Sequence, residues 1–152
     1  MNVCEFLCEK HVDFDLLPHP TTYTAQHMAQ ALHVPGGHVA KTVVLDADGE
    51  NVLVVLPATD NIDLPRMAEI LHCESLRLVK ENELSALFPD CERGAVPPFG
   101  SQCSMRTLVD RALTQDVHIV FEGNSHDESI SMRYDDFERI ENPQVVDFVY
   151  HG

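Results

Sequence analysis

The chain is poor in positive charge. Ten Lys and Arg stand against 25 Asp and Glu, for a formal net charge of -15, and Lys10, Lys41 and Lys80 are its only lysines. Gripping nucleic acid or an anionic membrane over a broad face means neutralising many phosphates. This composition excludes such a face and leaves any nucleic acid partner to a few local cations. Long apolar runs are absent too: no stretch nears the roughly 20 apolar residues of a membrane span. The opening MNVCEFLCEKHVDFDLL carries acids inside its apolar run and no small-residue cleavage site, unlike a secretory signal. Five cysteines (Cys4, Cys8, Cys73, Cys91, Cys103) are an odd number without a framework spacing, which argues for reduced thiols and a cytoplasmic protein. The nine histidines supply no ligand spacing either, since CxxC, HExxH and His-x-His are all missing. No metal and no cofactor is expected.

What is present fits one domain over residues 1–152. Hydrophobic residues make up 44% and charged residues 23%, enough for a core and too apolar for a disordered chain. There is no internal repeat, low-complexity tract or linker. Residues 3–11 read as a short helix, 13–19 as a strand stopped by Pro18 and Pro20, and TTYTAQHMAQAL as a helix capped by Thr22 or Thr24. VAKTVVLDADGENVLVVLP is two β-branched runs joined at Asp48-Gly49, a hairpin signal. DLPRMAEIL predicts a helix capped by Asp63, followed by a strand at LRLV and a helix at ENELSALF. Residues 89–104 are too rich in proline and glycine for regular structure. Strands at TLVD, DVHIVFEG and ESISMRY and a helical turn at DDFERI complete a single α/β (α+β) domain, its sheet mixed but mostly antiparallel and flanked by helices.

Two features could carry chemistry. Alternation places Lys41 on one strand face with Val39, Val43 and Leu45. A lysine in an apolar row must reach an anion, a cleft or water, or snorkel to the sheet edge. VPGGHVAKT is not a phosphate-binding P-loop, because Lys41 stands three residues too far from Gly37 and within a strand. The second feature is Gly94-Ala95-Val96-Pro97-Pro98-Phe99-Gly100. Its prolines fix φ and its glycines permit sharp turns, so it is either a stiff ligand-facing loop or a rigid connector. Cys91 and Cys103 flank it, with His118 and His126 as the candidates to activate one of them, although a free cysteine is more often a small buried hydrophobe. His126, within GNSHDES, reads as a solvated loop residue, and Asp135-Asp136 as helix-start acids.

A lysine in a Val/Ala-rich strand followed some fifty residues later by G-x-x-x-P resembles the YbaK-type aminoacyl-tRNA editing domain, which is also inserted in bacterial prolyl-tRNA synthetases. The likeness runs from His19 to about Ile140, through HPTTYTAQHMAQAL, VAKTVVL, VLPATDNIDL, FPDCERGAVPPFG, IVFEG and ESISMRYDDFERI. It implies a strongly curved sheet and hydrolysis of the ester between a wrong amino acid and the terminal ribose of a tRNA. By the same resemblance Lys41 holds the phosphate of the terminal nucleotide. Gly94 and Pro98 close the loop whose backbone, with Ala95, Val96, Pro97, Phe99 and Gly100, positions the aminoacyl group, and Gly123 lines the pocket.

The implied partner is the 3′ acceptor end of a mischarged tRNA, with delivery by an aminoacyl-tRNA synthetase as a further option and Arg93 and Arg106 as rim cations. The leading reading is a free-standing deacylase acting in trans on a small amino acid such as Ala or Cys, through a positioned water. The alternative is a non-catalytic binding or regulatory module that uses the same cleft for an amino acid, nucleotide or protein; the acidity favours it, and Lys41 with G-x-x-x-P favours the enzyme.

Overall fold

The computed structural model of the chain describes residues 2–21, 25–32, 36–92 and 95–151. Local signals decide its best-defined elements. Helix α1 (Val3–Glu9) starts where the Asn2 side chain accepts the Glu5 N–H at 3.1 Å, and it buries Val3, Phe6 and Leu7. The hairpin of β2 (Ala40–Ala47) and β3 (Glu50–Pro57) turns at Asp48 (φ 52°) and Gly49 (φ 90°). These are the positive-φ pair of a turn whose twist suits a two-residue hairpin. Asp48 also accepts the N–H groups of Glu74 and Ser75, pinning the turn to the segment that leads into β5 (Leu76–Leu78). Helix α3 (Leu64–Leu71) has Asp63 as its cap, accepting the Arg66 N–H at 3.1 Å. The Thr22 and Thr24 caps expected for α2 (Ala25–Leu32) lie outside the described residues.

The strands form two sheets and a ribbon. The larger sheet runs β5-β2-β3-β6-β9, with β6 at Arg106–Asp110 and β9 at Gln144–Val146; β5, β2 and β3 are antiparallel, whereas β6 lies parallel to both β3 and β9. The smaller, antiparallel sheet orders β1 (Phe14–Pro18), β8 (Glu128–Arg133) and β7 (His118–Glu122). β1 is an edge strand, so Pro18 costs no ladder bond there. A parallel bridge between Val39 and Val120 ties the two sheets, and β4 (Asp60–Ile62) pairs with β10 (Val149–His151) in the ribbon. Helices α4 (Glu81–Leu87) and α5 (Tyr134–Glu141) complete the domain. The expected mixed, mainly antiparallel α+β architecture is present. Residues 100–103, expected to be irregular, form a single 3₁₀ turn.

The two faces of the larger sheet serve different cores. Ala40, Val44, Leu53 and Val55 join α1, Phe99, Phe121 and Phe137 on one side. Leu45, Val52, Val54 and Leu56 join Met67 and Phe148 on the other. Each fully buried Leu or Val contributes about 1.5–3 kcal/mol, so the hairpin is anchored from both sides. Among the described residues no helix is long and apolar enough to cross a membrane.

Candidate active site

Lys41 lies opposite Leu56 in the β2–β3 register, on the face it shares with Val43 and Leu45. It opens into a cleft of 370 Å³ lined also by Val43, Leu56, Asn61, Ile62, Leu64 and Leu78. The side chain is half-buried rather than snorkelled clear of the sheet. Burial pushes the ammonium below the ordinary lysine range, and the negative charge of buried Asp60 pulls it part of the way back. A desolvated cation of this kind gains by meeting an anion.

The Gly/Pro segment is held from its far end. Residues 95–100 are buried; Arg93 and Gly94 lie outside the described residues. Ala95 N–H donates to the Glu92 carbonyl at 2.9 Å, and Phe99 N–H donates to the Pro97 carbonyl at 2.9 Å, a three-residue turn centred on Pro98. The Phe99 ring meets Phe6 at 5.1 Å and Phe121 and Phe137 at 5.6 Å, each edge to face. Gly100 N–H donates to Thr107 Oγ1 at 3.1 Å. Thr107 in turn donates to Glu141 Oε1 at 2.9 Å, and Glu141 also accepts the Ser101 N–H and hydroxyl, both at 2.8 Å. A Cβ on Gly100 would lie 2.5 Å from Thr107 Oγ1 and 2.9 Å from the Met105 carbonyl. The backbone of Gly123, whose N–H donates to the Glu128 carbonyl at 3.0 Å, passes so close to Ile130 that a Cβ would sit 3.3 Å from its side chain.

The structure therefore groups Ala95, Val96, Pro97, Pro98, Phe99 and Gly100 as one rigid unit but does not bring them into the Lys41 cleft. Val96 and Phe99 pack on the Ala40/Val44 face, and Lys41 projects from the other. Strand alternation is the reason. Arg106 does not form a rim with Lys41. It pairs with Val52, four residues along β3 from Leu56 and so about 13 Å away along the strand, and its guanidinium donates to Gln144 at 2.6 Å.

His126 is the main departure from the sequence reading. It is 4% exposed, not solvated: its Nδ1 lies 3.1 Å from Glu122 Oε2, and its N–H donates to Glu92 Oε2 at 3.2 Å. Asn124, at φ 75°, and a Ser125–Asp127 hydrogen bond of 2.7 Å turn the loop so that the ring faces inward. Burial raises the Glu122 carboxyl to about 7, opposed by His126 and reinforced by Glu92. The cluster sits where Glu92 enters the Gly/Pro segment. The signal for it was an acid ending the apolar run of β7, four residues before the histidine.

Other reactive groups are quieter. Burial pushes the Cys91 and Cys103 thiols up, away from the thiolate that a nucleophile needs. Ser129 makes a 2.8 Å hydrogen bond with His19 Nε2, but it is fully buried on the central strand β8. A larger cavity of 530 Å³ holds Asp63, Asp110 and Asp147 beside Arg66 and Arg111; Arg111 bonds Asp147 at 3.2 Å, and Asp63 and Asp110 accept backbone N–H groups. Among the described residues no three His, Cys, Asp or Glu side chains are placed to hold a metal ion.

Comparison with known proteins decides the family. Residues 19–140 match the aminoacyl-tRNA editing domain. The chain belongs to this family. Editing an aminoacyl-tRNA means hydrolysing its ester, so the editing family is one of hydrolases. The Multifunctional Ser/Thr-tRNA deacylase ProXp-y of Escherichia coli (strain K12) is 27% identical over 149 residues, covering 93% of this chain and 87% of that protein. The proline--tRNA ligase of Leuconostoc citreum (strain KM20) is 31% identical over 91 residues, 60% of this chain but only 16% of the ligase. In three dimensions the crystal structure of the hypothetical protein APE2540 superposes with a TM-score of 0.89 at 22% identity, over 97% of this chain and 99% of that one. This last likeness speaks for the fold alone.

Proposed function

We propose that this editing domain works as a free-standing deacylase, clearing a small amino acid from the 3′ end of mischarged tRNA in trans. The observation that carries the reading is Lys41: a desolvated cation in an open cleft, within the residues matched by the editing family. Lys41 anchors the phosphate of the terminal nucleotide, and the backbone of residues 94–98 orients the ester carbonyl and a water. Water adds to the carbonyl carbon, the bond to the ribose oxygen breaks, and that oxygen leaves as a hydroxyl with the proton the water gives up. The neighbouring ribose hydroxyl relays this proton. Because the ester is already activated, positioning and electrostatic support suffice, and the protonated thiols are in keeping with a route that uses no covalent enzyme intermediate.

A second hydrolytic site is useful for small side chains, since a methylene is worth only about 1–3 kcal/mol to a synthetase pocket. Serine or threonine, named for the Escherichia coli relative, joins alanine and cysteine as the candidates for removal. The net charge of -15 confines contact to the acceptor end, with a synthetase as the means of delivery where one is needed.

The test is release of amino acid from a panel of 3′-aminoacylated tRNAs by wild type and Lys41→Ala. Selective release of one small amino acid, reduced at least 100-fold in a folded variant, is expected. No release by wild type from any member, even with synthetase added, would replace the deacylase with the non-catalytic module.

A further inference from the structure

The Gly/Pro segment is fastened at both ends, by different chemistry. Its exit hangs on Thr107 and Glu141. Its entry is zipped to the turn after β7. Glu92 N–H donates to the Asn124 carbonyl at 2.9 Å, the Asn124 amide donates to Cys91 Sγ at 3.2 Å, and His126 N–H returns to Glu92 Oε2 at 3.2 Å. Glu92 thus meets the turn through its backbone and its side chain, and its carbonyl accepts Ala95 N–H from the segment. The side-chain half of this fastening is charged. His126 Nδ1 lies 3.1 Å from Glu122 Oε2, on a Glu122 side chain only 12% exposed. Among the described residues the charges that act on Glu122 are those of His126 and Glu92. Of the other ionisable groups round the turn, Glu128 acts on Cys4 of α1, Asp90 acts on Cys91 and Cys103, and Asp127 is bonded to Ser125. While Glu122 carries its proton, Glu92 stays on the His126 N–H. Once that proton leaves, two carboxylates crowd one imidazole where little water screens them. Glu92, the exposed member of the three, is the one able to move.

We propose that Glu122 and His126 form a proton-operated latch on the entry of the Gly/Pro segment, shut while Glu122 is protonated and released when it ionises, and that both are thereby positioning residues for deacylation. The proposal rests on the reading in which the backbone of this segment orients the ester, and extends it to what keeps that backbone in place. Release displaces Glu92 and with it the carbonyl on which Ala95 turns, so the loss falls on the orientation of the ester and the water. Lys41 projects from the other face of the sheet and keeps its hold; kcat therefore falls while KM stays. Burial keeps the proton on Glu122 to about pH 7, which sets where the latch opens. Burial also raises Glu141 at the exit, against its hydrogen bonds from Ser101 and Thr107, and substitution at 122 separates the two carboxyls.

The experiment measures kcat and KM from pH 5.5 to 8.5 for wild type, Glu122→Gln and Glu92→Gln, on the aminoacyl-tRNA that wild type cleaves fastest, after subtraction of the rate without protein. Amide hydrogen exchange of Ala95 and His126, expressed as protection relative to the intrinsic rate, runs in parallel, with Gly100 as the reference at the exit. Since a shift of about 1 Å can cost up to about 100-fold in rate, the ratio of variant to wild-type kcat is expected to rise about 10-fold from pH 6 to pH 8.5 for both variants. The KM ratio should stay within about 2-fold. Protection of Ala95 and His126 should fall through pH 7 in wild type and hold in Glu122→Gln. A kcat ratio flat with pH, or Ala95 protection equal at pH 6 and pH 8.5, would overturn the latch while wild-type deacylation kept the enzyme reading. Glu122-dependent loss of protection in a protein that cleaves no ester would keep the latch and remove the deacylase it serves.

Discussion

Replacing Glu122 by glutamine should make the protein more stable at alkaline pH. In the folded chain the carboxyl is buried beside His126 and Glu92 and keeps its proton up to pH about 7, whereas the ordinary value is 4.5. Between those values the folded state binds more protons than the unfolded one, so stability falls as pH rises through the window and stays lower above it. At about 1.4 kcal/mol for each tenfold in the proton equilibrium, the full cost above pH 7 is about 3 kcal/mol, with the pull of the imidazole already counted in it. Glutamine has the shape of the protonated acid and does not titrate. Thermal unfolding followed by circular dichroism at pH 5 and pH 8.5 is the assay. Near pH 5 the two proteins should melt within a few degrees of each other. At pH 8.5 the variant should melt higher by up to about 6–12 °C, taking about 2–4 °C per kcal/mol for a chain of this size. Parallel pH profiles, or a variant that melts lower at pH 8.5, would refute a buried carboxyl at 122 that keeps its proton to about pH 7.

Two further changes test the clamp on the Gly/Pro segment. Gly100→Ala puts a methyl 2.5 Å from Thr107 Oγ1 and 2.9 Å from a backbone carbonyl; urea unfolding should show a loss of about 1–3 kcal/mol, and a neutral result would mean the segment is looser than its hydrogen bonds suggest. Glu141→Ala strips the acceptor from Ser101 N–H, Ser101 Oγ and Thr107 Oγ1. A loss of about 2–4 kcal/mol is expected in the same assay, with part of it recovered by Glu141→Gln, which keeps one acceptor oxygen.

Where structure is made locally, the sequence was easy to read. Asp48-Gly49 can hardly do anything but turn a hairpin, and Asp63 before Leu64-Pro65 starts a helix by its own hydrogen bond. Lys41 was visible because alternation left one cation in an apolar row. The three-residue strands β4, β9 and β10 were not visible, since each exists only because a distant partner completes it. TLVD reads as a strand, but nothing in those four residues says that it lies parallel to both neighbours, where burial on both sides removes the alternation. His126 was misread for a related reason. Its neighbours Ser125 and Asp127 are turn formers, and the acids that enclose it arrive from the end of β7 and from residue 92. Likewise the stiffness of the Gly/Pro segment is written in its prolines, whereas the sheet face it packs against depends on Phe99 finding Phe6, Phe121 and Phe137.

That last contact also separates two ideas of where the working unit begins. The family match starts at residue 19, yet Phe6, thirteen residues upstream of His19, presses edge-on against the Phe99 ring at the end of the G-x-x-x-P segment. Val3 N–H donates to Asn124 at 2.9 Å, beside the Glu122–His126 cluster. The matched family segment and the mechanically coupled unit thus have different borders in this chain. Cutting the chain at the family border would take away the ring that braces Phe99 from that side.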